Sequence, residues 1–125
     1  MQLIEQRVGD ALLLKASGRI DRTTADGFKG ALQPHLEQCK PGGNVIVLDF
    51  SGIDYISSVG FQVLLVAQKR AKAQFGVIAI AALQPGVKAI FEIANFSKVI
   101  RCYDSVRDAL AEMSPAALAS YTHEG

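Results

Sequence analysis

The chain has 125 residues, enough for one domain with one real core, and half of them are hydrophobic against 20% charged, which excludes a disordered composition. Lys and Arg total 13 against 12 Asp and Glu, so a net charge of +1 gives no electrostatic argument for nucleic acid or anionic lipid as partner. Two cysteines, Cys39 and Cys102, and two histidines, His35 and His123, make neither a disulfide framework nor a recognisable metal-ligand spacing.

Leu3–Val8 is a short alternating segment, Gly9-Asp10 supplies turn chemistry, and Ala11–Ser17 is a second apolar run, so the chain opens on a predicted β-hairpin. Charges interrupt these apolar stretches, so they do not read as a signal peptide, and no apolar run reaches the ~18–20 residues that span a bilayer. A cytoplasmic protein with thiols in a reducing compartment is the expectation. Gly18-Arg19-Ile20-Asp21 is expected to break the second strand. Thr23 or Thr24 then caps a helix reaching Gln38 or Cys39, with Ala25, Phe28, Leu32, Leu36 and Cys39 on one face and Pro34 as a possible kink.

Pro41-Gly42-Gly43-Asn44 is a loop, and Val45–Phe50 is a β-branched run of the kind that forms a buried strand. Ser51–Ser57 reads as a loop leading to a helix from about Ser58 to Gln74. Val77–Ala82 is the next buried strand, and Pro85 opens a helix to about Asn95. Val99–Cys102 is a short strand, and Asp104 or Ser105 caps a last helix with Val106, Ala109, Leu110 and Met113 inward. A domain over residues 1–113 is thus expected, with residues 114–125 as a tail that has little to bury and is mobile. Alternating strands and helices imply an α/β fold: a mixed, mostly parallel sheet of about five strands with about four helices, opened by an antiparallel hairpin. In such sheets ligands and partners meet the loops at the strands' carboxyl ends, which places Gly18–Asp21 beside Ser51–Ser58.

On a helical wheel the Ser58–Gln74 helix turns Gly60, Val63, Leu64, Ala67 and Ala71 to the core. Phe61 and Leu65 fall instead on the flank that carries Ser58. Either another loop covers them, or they form an exposed apolar patch that marks a protein-binding surface.

Three roles compete for the serine turn. Ser57 or Ser58 can cap the helix, worth on the order of 1 kcal/mol. Ile56-Ser57-Ser58-Val59-Gly60 also resembles a Gly-x-Ser-x-Gly nucleophile elbow, but Ile56 stands at the leading glycine and only His123 follows as a histidine, which argues against an enzyme. The third role is a kinase substrate. A phosphate at an exposed helix N-terminus adds about −1.5 to −2 charge without breaking the fold, and a partner covering the serine then meets that charge.

Leu48-Asp49-Phe50-Ser51, Ile53-Asp54-Tyr55-Ile56-Ser57-Ser58-Val59-Gly60-Phe61 and Val63-Leu64-Leu65 together resemble the signature of STAS domains, most closely the single-domain anti-sigma factor antagonists of bacteria. Gly18-Arg19-Ile20-Asp21 is similar to that family's turn after the second strand, and the likeness runs from about Leu3 to Met113. The resemblance implies a non-enzymatic STAS fold without cofactor or metal, with Ser58 as phosphoacceptor and Ser57 as the lesser candidate. It matches Asp21 to a partner-facing position near the acceptor, with Ser51 and Asp54 in the segment leading to it, and together with Ser57, Ser58, Gly60 and the wheel's Phe61 and Leu65 these form the expected partner-binding set. In that family the unphosphorylated form binds a GHKL-type anti-sigma factor and serine kinase, phosphorylation releases it, and a PP2C-type phosphatase resets it, without direct nucleic-acid contact or membrane insertion. A monomer that forms heteromers is the family precedent. Many antagonists carry an acidic residue where Ser57 stands, which blurs the choice between the two serines. STAS subunits that dock on the ATPase of ABC-type lipid transporters, and partner-switch regulators of outputs other than transcription, are the alternative classes.

Overall fold

The computed structural model describes residues 2–124, with side chains for 2–121; Met1 and Gly125, the ends of the expected domain and tail, lie outside the described residues. The first two strands, β1 (Ile4–Val8) and β2 (Ala11–Ile20), pair antiparallel through the Gly9-Asp10 turn. Gly9 takes φ 60°, a conformation that favours glycine at a two-residue hairpin turn. Strands β3 (Val45–Ile56), β4 (Ile78–Ala81) and β5 (Arg101–Tyr103) follow in parallel, giving a five-stranded sheet in the order β1-β2-β3-β4-β5. This is the mixed, mostly parallel sheet with an antiparallel opening that the alternation of elements predicts.

Two strands run further than expected. Gly18-Arg19-Ile20 does not break β2, and Ser51–Ile56 is not a loop: the two segments pair, Ser17 with Gly52, Gly18 with Ile53, Arg19 with Tyr55 and Ile20 with Ile56, across two register shifts. The extension survives because Ile53 and Ile56 are buried while Ser51, Asp54 and Tyr55 face out, so the polar residues keep the solvent side of a real strand.

Helices cover both faces of the sheet. On β2 the alternation is direct: Leu12 and Leu14 enter one core, and Leu13 enters the other. The larger core receives α1 (Ala25–Glu37), α2 (Ser58–Ala73) and α3 (Pro85–Ile93), through Phe28, Leu32, Leu64, Ala67 and Phe91. Helix α1 continues through Pro34 rather than ending there. Pro34 lies in its last turn, where the one lost hydrogen bond is the carbonyl of Gly30, a residue with open space around it. After α3, Asn95 turns at φ 55° and a 3-10 turn, Phe96–Lys98, drops Phe96 into the same core.

The second core is closed by α4 (Val106–Met113), which Ser105 caps by accepting from Asp108 N, and by α5 (Pro115–Glu124). The segment after Met113 therefore does have something to bury. Ser114 and Ala117 are buried, and Leu118 and Tyr121 pack against Val8, Ala11 and Leu110. The small side chains of this segment hid its inward face from the pattern of large apolar residues. It raises the α-helices to five among the described residues, and none of them is long and apolar enough to cross a membrane.

Candidate functional site at the start of α2

The carboxyl ends of β2 and β3 meet where Ser57 N–H donates to Ile20 O at 2.8 Å. This bond sets the Gly18–Asp21 segment beside the serine turn, as the topology predicted. Ser57 is the residue before α2, in extended backbone (φ −95°, ψ 175°), and its carbonyl accepts from Phe61 N to start the helix. Its hydroxyl makes no cap bond. Oγ of Ser57 is shut off from solvent with no hydrogen-bond partner, whereas Ser58, the first residue of α2, is exposed. The two serines are thus sorted by backbone geometry: one hydroxyl turned inward, one presented at the helix N-terminus.

Gly60 shows why the helix can begin so close to the sheet. A Cβ there would lie 2.7 Å from Cγ1 of Ile56 and 2.8 Å from Cγ2 of Ile20, the same pair that joins the two strands. Behind it, Phe61 does not form an exposed patch. Its ring centroid lies 5.0 Å from Phe91 and 4.8 Å from Phe96, so α3 and the 3-10 turn cover it, and Leu65 is partly buried against the same core. Exposed apolar side chains nearby are instead Val66 on α2 and Ile90 and Ile93 on α3. The wheel placed Phe61 correctly relative to α2, but the residues that cover it arrive from some thirty positions later in the chain.

Asp21 is held firmly. Its carboxylate accepts from Thr23 N at 2.9 Å and Thr23 Oγ1 at 2.7 Å, and Nε of Arg19 lies 3.5 Å away. These bonds, those from Thr23 above all, hold the Asp21 carboxyl below the usual carboxylate range. Thr24, expected as a cap, directs its hydroxyl elsewhere: Oγ1 accepts from Asp21 N and donates to Arg19 O, which fixes the turn that carries Asp21. Ser51 and Asp54 lie exposed on the last stretch of β3; Ser51 N donates to Asp49, and Ser51 O accepts from Gln84 Nε2, which draws that end of the strand toward α3.

One pair carries no signal in the local sequence pattern. The Arg19 guanidinium stacks over the Tyr55 ring at 4.5 Å, with Arg19 opposite Tyr55 in the β2–β3 register. Arg and Tyr are over-represented at binding hot spots, and their one available signal was the strand pairing that the expected loop concealed.

A family model described as STAS domain matches residues 3–109. A candidate anti-sigma factor antagonist from Bordetella bronchiseptica, BtrV, is 28% identical over 116 residues, which is 93% of this chain and 97% of that protein. Among solved structures, an anti-sigma factor antagonist from Mycobacterium paratuberculosis superposes with a TM-score of 0.79 at 20% identity, covering 90% of this chain and 92% of that one. The phosphorylated form of the Bacillus cell fate determinant SpoIIAA does so with a TM-score of 0.62 at 14% identity, covering 87% and 96%. At these identities the two structures speak for the fold alone.

Proposed function

The chain belongs to the STAS domain family, and from that membership we propose that it acts as an anti-sigma factor antagonist switched by phosphorylation of Ser58. The unphosphorylated form binds a partner that is both anti-sigma factor and GHKL-type serine kinase. Transfer of the γ-phosphate of the partner's ATP to Oγ of Ser58 then releases it, and a PP2C-type phosphatase restores the free hydroxyl. The observation that carries this reading is the contrast between an exposed Ser58 at the first residue of α2 and a Ser57 hydroxyl that is buried.

Capping explains neither serine, since Ser57 makes no cap bond. The helix N-terminus accommodates the phosphate by ~0.3–1 kcal/mol, so the modified chain stays folded. Asp21, one residue beyond the strand pair that holds Ser57, keeps a fixed negative charge beside the acceptor. In the complex it offers the partner a carboxylate; after phosphate transfer it adds to the local repulsion that a covering surface must bear.

The test is intact mass and peptide mapping after incubation with the cognate kinase and ATP. One phosphate on Ser58 is expected. Ser58→Ala should keep partner binding while blocking phosphate uptake, and Ser58→Asp should weaken binding. No phosphate on either serine, together with stable co-purification of an ABC-type ATPase, would replace this reading with the transporter-subunit one.

A further inference from the structure

Helices α1 and α2 both start at the carboxyl ends of parallel strands, so they run side by side in the same direction over the sheet. They do not close completely. Between them lies a groove of about 300 Å³ with Leu32, Leu36, Val63 and Ala67 in its walls. Val66, 56% exposed, stands at its mouth. On α2 the groove extends from Val59 to Arg70, twelve residues or about 16 Å of helix.

A volume of about 300 Å³ drawn out over about 16 Å takes a small ligand with an extended apolar part. Pockets for small ligands start near about 300 Å³ and pair apolar walls with a few polar groups, as here.

Charge sets the orientation. Asp26, in the first turn of α1, is the acidic residue in the lining, and Lys29 one turn on offsets it. Arg70 lies near the other end, in the last turns of α2, and neither it nor Lys29 takes part in an ion pair among the described residues. We propose that the α1–α2 groove binds a single-chain amphiphilic carboxylate, with its chain along Leu32, Leu36 and Val63 and its head group at Arg70. The site is separate from the role assigned to Ser58 and does not rest on it.

The experiment is a titration of the ¹⁵N-labelled full chain with dodecanoate below its micelle concentration, followed by amide chemical shifts. Dodecyltrimethylammonium, of equal chain length and opposite charge, serves as the comparison. Saturable shifts confined to α1 and α2 are expected, with the cationic amphiphile at least about tenfold weaker. Arg70→Gln should weaken dodecanoate about tenfold, and Val66→Glu, at an exposed position, should weaken it further at an unchanged unfolding midpoint. Several results would overturn the proposal: no saturable shift, equal affinity for the two amphiphiles, shifts centred on Ile90 and Ile93 of α3, or tighter groove binding by an acidic amphipathic helical peptide than by dodecanoate. The last would make the groove a protein-docking site.

Discussion

Ser57 Oγ is a buried hydroxyl without a partner, and such a group carries a desolvation cost of about 1–3 kcal/mol that nothing in its surroundings offsets. Ser57→Ala removes that oxygen and leaves a methyl of nearly the same shape against the core. Its urea midpoint is therefore expected to hold or rise, by up to about 1 kcal/mol, while phosphate uptake on Ser58 continues. A drop in stability would show that the hydroxyl has a partner after all. Gly60 predicts the opposite sign. A methyl there must displace Ile56 and Ile20, which are fully or almost fully buried and join the two strands under the serine turn. Overpacking of this kind costs about 1–3 kcal/mol, so Gly60→Ala should lower the denaturation midpoint and, by shifting the first turn of α2, slow modification of Ser58 as well. Gly60→Ala with wild-type stability and wild-type phosphate uptake would mean that α2 can start further from the sheet.

Helix α2 closes in a Schellman motif: Gly76 N donates to Ala71 O at 2.8 Å and Phe75 N to Lys72 O at 3.0 Å. That motif puts its left-handed residue at Phe75, which holds φ 60° and is 83% exposed. An aromatic residue here neither relaxes the backbone nor buries its ring, so Phe75→Gly should raise stability by about 0.5–1 kcal/mol, read as a higher urea midpoint at unchanged slope. The start and core face of this helix were legible in the sequence, because Gly60, Leu64, Ala67 and Ala71 follow the helical period that local geometry imposes. What was not legible depended on remote partners. The pairing of Gly52–Ile56 with β2 rests on two register shifts that no local pattern announces, and it brought Arg19 onto Tyr55. The fate of Phe61 was likewise decided by Phe91 and Phe96 on a later helix and turn.

At the scale of the whole molecule the sheet divides two duties. The α1–α3 face carries the serine turn and the groove, and the α4–α5 face is packing. Helix α5 lies beyond residues 3–109 that match the family, yet it is tied in at its root. The buried Ser114 hydroxyl donates to the Asp10 carboxylate in the β1–β2 turn and accepts from Ala117 N at 3.2 Å. Gly9 approaches so closely that a Cβ would lie 3.1 Å from Ala117 Cα. Removing residues 114–125 uncovers Val8, Ala11 and Leu110 and deprives Asp10 of its donor. With Ala117 buried and Leu118 and Tyr121 partly so, the loss should be about 2–4 kcal/mol in unfolding free energy. Because α2 stands on the other face, the shortened chain, once folded, should still take one phosphate on Ser58 at the wild-type rate. The single change Ser114→Ala should reproduce about 1–2 kcal/mol of the loss through its cap and the Asp10 bond alone. A shortened chain with unaltered stability would show that α5 rests on this face without supporting it, and a lost phosphate uptake at retained fold would show that the two faces are coupled through the sheet.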